Sequence, residues 1–277
     1  MKKYIKPVVL ESFNLYYKIM SYHEKAKQTN RVQFVYLHNI LDEEKNNFRK
    51  ILKELSKDFK FITYSVAVEK IQSGDIDDCY MSFSTDDGLK SNYKIATILE
   101  EFGTNACFFV CGSMLMEENP QEKENFGRNM LNTKGCNFLD VKDIEELLNR
   151  GHEVGSHTVN HALLANLTKD EIINEIATSY ESLKKLFGNI NHFAWPYGRF
   201  HHFNVFATKA VFEAGFKTCA SAERGCHTQN PDSIEDLCIR RDHISAHWPL
   251  NHIRYFLTRN AIDTSRQKNG YPAGWDI

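Results

Sequence analysis

Two adjacent carboxylates stand where an apolar run ends. In "SFSTDDGLKSN" (82–92), Asp86 and Asp87 follow strand-forming residues and precede a glycine. Neighbouring carboxylates disfavour each other's ionisation unless a cation lies close by. A divalent metal bound by Asp87 would keep Asp86 anionic, and Asp86 could then take a proton from the bound water. The alternative interpretation is an ordinary turn, in which Asp and Gly are favoured.

Two histidines four residues apart form a second candidate group. His157 and His161 lie in "HTVNH", and on a helical turn both imidazoles would project to the same side. With one carboxylate they form a set that leaves coordination positions open for water and substrate, as in zinc hydrolases and non-haem iron enzymes. Alone, the spacing favours solvated or cap-forming histidines over a metal site. The Asp-Asp-Gly segment makes a metal site the stronger hypothesis.

Strands and helices alternate along the chain, which favours βα units in a parallel sheet or barrel. Residues Phe48, Ile51, Leu52 and Leu55 recur at helical spacing. Ser91 is a candidate helix cap, and Thr168 with Glu171 predicts a capping box. Strands are predicted within "RVQFVYLHNI" (31–40), "CYMSFST" (79–85), "NACFFVCGS" (105–113), "HEVGSH" (152–157), "HFAWPYG" (192–198) and "FKTCASA" (216–222).

One α/β domain is the predicted organisation. We expect an N-terminal segment over 1–30, a barrel domain over 31–265 and a C-terminal tail over 266–277. Charge, Asn and Gly interrupt the alternation over 114–138, which predicts an insertion that forms a rim or lid. In β/α barrels, reactive side chains collect at the carboxyl ends of strands. His38, the Asp86–Asp87 pair, His157 with His161, and Pro196–Tyr197 all fall there.

Composition narrows the cellular context. The net charge of −2 and pI of 6.6 give no general attraction to nucleic acid. No segment is apolar for the length of a membrane span, and the first residues do not resemble a signal peptide. The seven cysteines contain no CxxC pair, so we expect small buried hydrophobes in a reducing compartment. The sequence therefore predicts a cytoplasmic protein, and nothing in it bears on the oligomeric state.

Three segments together resemble the NodB-type polysaccharide deacetylases, carbohydrate esterase family four. They are "STDDG", "HTVNH" and "AWPYG", in the family's order. The early "VYLHNI", followed by a helix, resembles the circularly permuted branch. This resemblance, over about residues 31–245, implies a distorted (β/α) barrel of about seven parallel strands.

The resemblance also implies roles for individual residues. Asp86 would be the general base, Asp87, His157 and His161 the metal ligands, and the backbone N–H of Tyr197 an oxyanion donor. His38 would be the acid, with His243 and His247 as rivals if the chain is not permuted. Ala194 stands where many members carry an arginine that orients the base. Arg241, or less favourably Arg240, is the expected replacement, since arginine can hold a carboxylate through two hydrogen bonds.

The activity implied is removal of an N-acetyl group from an amino sugar in a glycan or glycan precursor. One zinc ion is the expected cofactor, with cobalt or nickel as alternatives. Trp195, Pro196, Tyr197 and Trp248 are candidate sugar contacts, with packing as the alternative for both tryptophans. A cytoplasmic location would favour an activated sugar precursor as substrate. Cleavage of another acyl group, such as a formamido sugar, and an inactive carbohydrate-binding relative are the competing functions.

Overall fold

One parallel sheet organises the protein. The computed structural model describes residues 2–135, 137–267 and 269–275, with side chains from residue 10 onward. Every strand pair in the sheet is parallel. The strands are β1 (Arg31–Leu37), β2 (Lys60–Phe61), β3 (Cys79–Thr85), β4 (Ala106–Val110), β5 (Glu153–Ser156), β6 (His192–Ala194), β7 (Thr218–Ala220), β8 (Cys238–Ile239) and β9 (Arg241–His243).

The sheet curls into a nearly closed barrel. Its strand order is β8-β7-β6-β5-β4-β3-β1-β9, with β2 paired to β3 at the side. The outermost strands, β8 and β9, are separated in sequence by Arg240 alone, so the two edges must lie side by side. The predicted (β/α) barrel is confirmed, with eight strands along its path instead of about seven. The last two strands are too short for a sequence pattern to separate them.

Helices follow most strands and cover the barrel. The predicted apolar stripe of the helix after β1 is confirmed, since Phe48, Ile51, Leu52 and Leu55 are buried. The helices are α1 (Lys2–Ile19), α2 (Tyr22–Lys27), α3 (Lys45–Leu55), α4 (Tyr64–Ser73), α5 (Asn92–Glu100), α6 (Gly112–Leu115), α7 (Pro120–Met130), α8 (Val141–Asn149), α9 (Lys169–Phe187), α10 (Val205–Ala214) and α11 (Leu250–Ile262).

The two predicted helix caps have different outcomes. Thr168 and Glu171 form the expected capping box at α9, with each side chain accepting from the other residue's backbone N–H. Ser91 occupies the N-cap position of α5, but its side chain makes no capping hydrogen bond. A capping side chain reaches the first turn from an extended backbone, whereas Ser91 already has helical angles. That prediction was wrong.

The segments at the ends of the predicted barrel and inside it take defined structure. Residues before β1 form α1 and α2, and α1 packs on α11 through Phe13 and Tyr17 against Tyr255. The insertion 114–138 holds α7, and Phe126 packs on Phe138 there. Within the predicted segments, residues 1, 136, 268, 276 and 277 lie outside the described residues. The domain boundaries themselves stay predictions.

The cysteines behave as expected where they are described. Cys79, Cys107, Cys111, Cys219, Cys226 and Cys238 are all buried free thiols, and the seventh, Cys136, lies outside the described residues. Within the described part of the chain, no helix has both the length and the apolar character needed to cross a membrane.

Candidate active site

The carboxyl ends of the barrel strands surround a cleft of about 190 Å³. His38 follows β1, Asp86 and Asp87 follow β3, and His157 follows β5. Tyr197 lies just beyond β6, and all of these residues line the cleft together with His161. Parallel strands present their carboxyl ends at the same side of the sheet, which is why residues so distant in sequence meet here.

Asp87, His157 and His161 form a compact set of metal-ligating side chains. All three are buried, and one ligand atom from each lies within 4.8 Å of the others. The Nε2 atoms of His157 and His161 are 3.6 and 3.4 Å from Oδ1 of Asp87. His157 Nδ1 bonds to the carbonyl oxygen of Ala194 at 2.7 Å, which leaves its Nε2 to act as the ligand.

The donor set fits a divalent metal. Oδ1 of Asp87 is buried and has no hydrogen-bond partner among the described residues. Burial lowers the pKa of His157 to about 4, so its imidazole is neutral near pH 7. Burial alone would raise the pKa of Asp87, but the imidazoles of His161 and His38 outweigh it and hold this pKa at about 2. Neutral imidazole and ionised carboxylate are the forms that bind metal.

An irregular turn, not the expected helical turn, brings the two histidines together. Thr158 and His161 have φ angles of 67° and 55°, in the left-handed region. The carboxylate of Glu175 on α9 accepts hydrogen bonds from the backbone N–H groups of Val159 and Asn160. Sequence analysis missed Glu175. The available signal was a carboxylate on the largely apolar face of an amphipathic helix.

Asp86 is held by Arg241. Nη1 and Nη2 of Arg241 donate to Oδ1 and Oδ2 of Asp86 at 2.6 and 3.0 Å. Nε of Arg241 donates to the carbonyl of Ser221, and the guanidinium carbon lies 4.6 and 4.9 Å from the ring centroids of Tyr36 and Phe109. Burial would raise the pKa of Asp86, but the charge of Arg241 outweighs it and lowers that pKa. Asp86 is therefore a fixed carboxylate anion.

The guanidinium reaches Asp86 from a different strand than the family pattern implies. Ala194 on β6 is buried and cannot supply it, whereas Arg241 begins β9. Arg240, the weaker candidate, lies against the ring of Phe200. Arg241, not Arg240, therefore contacts Asp86, and its role in a reaction stays a prediction.

The three candidate acids lie at different distances from the cleft. His38 lines it, and the centroid of its ring is 5.1 Å from that of His243. His243 lies behind His38 against Trp248, where burial lowers its pKa to about 3. His247 is exposed and bonds to Ser245 and Glu44, away from the cleft.

The predicted sugar contacts also differ in how far they reach into the cleft. Trp195 and Pro196 are buried, and Trp195 stacks on Phe203 so that only part of it reaches the cleft wall. Tyr197 is 45% exposed, and its backbone N–H donates to no described residue. Trp248 lies outside the cleft, beside Phe256.

Met130 and Leu131, from the insertion, line the cleft as well. The sequence predicted a rim or lid in this segment but not these two residues.

A comparison with models of protein families assigns the chain to one of them. The model described as "Polysaccharide deacetylase" matches residues 74–218, more than half of the chain. The protein belongs to the polysaccharide deacetylase family. The matched region contains Asp86, Asp87, His157, His161 and Tyr197, so the resemblance found in the sequence is confirmed. The circular permutation stays a prediction.

Relatives and solved structures agree with the family. The chain is 29% identical over 126 residues to the peptidoglycan-N-acetylglucosamine deacetylase of Bacillus cereus, covering 45% of this chain and 38% of that protein. It is 26% identical over 151 residues to YxkH of Bacillus subtilis, covering 52% of this chain and 45% of that protein. It therefore spans less than half the length of these curated relatives.

The fold is shared with IcaB from Ammonifex degensii, at a TM-score of 0.64 and 18% identity, over 82% of this chain and 99% of that one. The Streptococcus pyogenes deacetylase PplD has the same TM-score at 16% identity, over 82% of this chain and 97% of that one.

Proposed function

We propose that this protein is a metal-dependent hydrolase that removes the N-acetyl group from an amino sugar in a glycan or glycan precursor and releases acetate. One observation carries the proposal. A buried Asp87–His157–His161 cluster lies beside a carboxylate, Asp86, that a buried arginine holds in place. The deacetylase name of the Bacillus cereus relative supports the same reaction.

Asp87, His157 and His161 would hold the ion, and Asp86 would act as general base. When bound, a divalent ion, zinc foremost with cobalt or nickel as alternatives, lowers the pKa of water and polarises an acetyl carbonyl. Asp86 accepts the proton of the attacking water. Its bidentate contact with Arg241 keeps the carboxylate ionised and oriented until that proton transfer.

His38 would donate the proton that the leaving amine needs. It is the candidate acid that lines the cleft, and correctly placed proton transfer contributes about 10²–10⁴-fold in rate. The backbone N–H of Tyr197 would donate to the oxyanion, an interaction worth about 2.7–4 kcal/mol for a well-placed donor. Both roles rest on position in the cleft.

The exposed ring of Tyr197 would contact the apolar face of the sugar, with Trp195 and Pro196 shaping the wall below it. Trp248 would meet only a longer glycan, because it lies beyond His243 and outside the cleft. An activated precursor as substrate and a cytoplasmic location stay predictions.

Metal content is the first test, because it needs no choice of substrate. Wild-type protein is expected to bind about one divalent ion per chain after loading with zinc, cobalt or nickel. Asp87→Asn and His157→Ala should lose most of it, whereas Asp86→Asn should retain it. Wild-type protein that takes up no ion under any loading would overturn the proposal.

Acetate release from N-acetylglucosamine oligomers is the second test. Wild-type protein should release acetate, and Asp86→Asn should not. A formylated sugar assayed in parallel distinguishes the alternative acyl group. Metal binding with no release from any acylated sugar, but with binding of the glycan itself, would favour the inactive carbohydrate-binding protein.

A further inference from the structure

A second cavity lies at the opposite end of β1 from the candidate active site. Its volume is about 490 Å³, compared with about 190 Å³ for the catalytic cleft. The helices α1, α2 and α11 and the end of α3 enclose it. Arg31, the first residue of β1, lines this cavity, whereas His38 beyond the other end of β1 lines the cleft.

Arg31 is a buried cation without an anionic partner. Only 3% of its surface is exposed, and Nη1 donates to the carbonyl oxygens of Ala26 and Thr29 at 2.5 and 2.8 Å and contacts Sγ of Cys79 at 3.2 Å. The guanidinium also lies over the ring of Phe59. Its Nε is buried and has no hydrogen-bond partner, and no carboxylate of the described residues forms an ion pair with it. A guanidinium cannot lose its charge in a protein, and an unpaired buried charge is costly. The carbonyls compensate it in part.

The rest of the lining has an excess of positive charge. Lys18, Lys27 and Arg254 join Arg31, against the two carboxylates of Glu24 and Asp58. Both carboxylates are engaged by Lys27, and Arg254 lies 3.7 Å from Asp58 and 3.4 Å from Glu54, which stands outside the lining. His23 contributes no charge to the lining near pH 7, because burial lowers the pKa of its imidazole. Among the described residues, Lys18 and Arg31 are therefore the lining cations that no carboxylate pairs with.

We propose that this cavity binds a small molecule bearing a phosphate group, with Arg31 as the buried anchor and Lys18 and Arg254 at its rim. Guanidinium and ammonium groups together suit the several oxygens of a phosphate. The volume leaves room for a polar body attached to that group. The site is independent of the proposed deacetylase activity.

Inorganic phosphate is the probe for this site, titrated to about 10 mM into the full chain at constant ionic strength, with sodium chloride as control. Calorimetry should show saturable binding, and the melting temperature should rise with phosphate. Lys18→Gln and Arg254→Gln should each weaken binding about tenfold, the effect of losing one charge-assisted contact. Arg128→Gln, an exposed arginine on α7, should bind as wild type does.

Two further variants keep the test falsifiable. Arg31→Gln should abolish binding, but it could also disturb the fold, so the two rim variants decide the outcome. His157→Ala should bind phosphate normally, which distinguishes this cavity from a metal in the candidate active site. Absence of saturable binding by wild type, or unchanged binding by both rim variants, would overturn the proposal.

Vesicles separate the two sources of phosphate. Cosedimentation with vesicles of phosphatidylglycerol and phosphatidylcholine, without binding of free phosphate, would replace the small molecule by a lipid headgroup and overturn the proposal as stated. Binding of free phosphate that phosphatidylglycerol vesicles do not displace would support it.

Discussion

Two buried arginines on neighbouring strands of the barrel differ in the partners of their guanidinium groups. Arg241 on β9 donates to both oxygens of Asp86 and to the carbonyl of Ser221, and lies close to two aromatic rings. Arg31 on β1 donates through Nη1 to two carbonyls, contacts Sγ of Cys79 and lies over the ring of Phe59, but its Nε has no partner among the described residues. Arg241 has a carboxylate partner, whereas none of the described carboxylates pairs with Arg31.

The difference shows what each end of the barrel requires. A general base must be ionised and fixed, so the partner of Asp86 is supplied by the chain itself. At the other end, no carboxylate of the described residues pairs with Arg31, although a guanidinium cannot become neutral there. His227 lies at the same end, where its backbone bonds to that of Val32 on β1. Unlike a guanidinium, its imidazole can become neutral, and burial lowers its pKa to about 4. Among the described residues, Arg31 therefore keeps a charge that no carboxylate pairs with.

Breaking the completed pair should have the largest effect. Arg241→Met leaves Asp86 as an unpaired buried carboxylate, which typically costs about 3–5 kcal/mol. Urea unfolding of metal-free protein at pH 7 should therefore show a loss of this size. The double variant Arg241→Met/Asp86→Asn should recover part of it, because no unpaired charge remains. Equal stability of the single and double variants would contradict this explanation.

The candidate acid should give the next largest effect. His38→Gln should lower the rate of acetate release by about 10²–10⁴-fold, because His38 lines the cleft. His243→Gln should lower it less, since His243 acts only through its contact with His38. Steady-state kinetics on both variants, with metal content as control, measures this. A larger loss of rate for His243→Gln than for His38→Gln would show that His243 is the acid.

The sequence was sufficient for the fold class and for the residues of the cleft whose positions follow from strand ends. Asp87, His157 and His161 meet because parallel strands end at one side of the barrel, which alternation and motif spacing already implied. Arg241 could be suggested only as a substitute for a missing side chain. Its position depends on β8 and β9, strands too short to show a pattern.

Several features of the site could not be predicted because they depend on buried residues that follow no periodic pattern in the sequence. Glu175 orients the histidine turn from a helix whose other buried positions looked like ordinary core. Arg31 is one cation at the start of a strand, and only packing by α2 and Phe59 makes it buried. Left-handed backbone at Thr158 and His161, where neither residue is glycine, likewise follows from tertiary contacts.

His227 should make the Arg31 end of the barrel sensitive to acid. Its pKa is about 4 in the folded protein, against 6.5 for an ordinary histidine. As pH falls below 6.5, the unfolded chain takes up a proton that the folded protein refuses, so stability declines until about pH 4. For this group alone the loss between about pH 7.5 and about pH 5 is about 2 kcal/mol.

The measurement is urea unfolding of wild type and His227→Gln at both pH values. His243 also has a lowered pKa, so the informative quantity is the difference between the two proteins. His247→Gln, on the exterior, controls for the loss of an imidazole. An identical pH dependence in wild type and His227→Gln would show that His227 is not the neutral buried base.

Removing Arg31 should have the smallest effect on the phosphate-free protein. Arg31→Met loses its hydrogen bonds to the carbonyls of Ala26 and Thr29 but also removes an unpaired buried charge. The two effects oppose each other, so we expect a net loss of about 1–2 kcal/mol in the free energy of unfolding, well below that of Arg241→Met.

Phosphate should enlarge the difference between wild type and Arg31→Met. With phosphate at about 100 times its Kd, the free energy of unfolding of wild type should rise by about 2.7 kcal/mol, and that of Arg31→Met should not. Urea unfolding with and without phosphate measures both values. A loss for Arg31→Met as large as that for Arg241→Met, and unaffected by phosphate, would mean that the carbonyls alone complete Arg31.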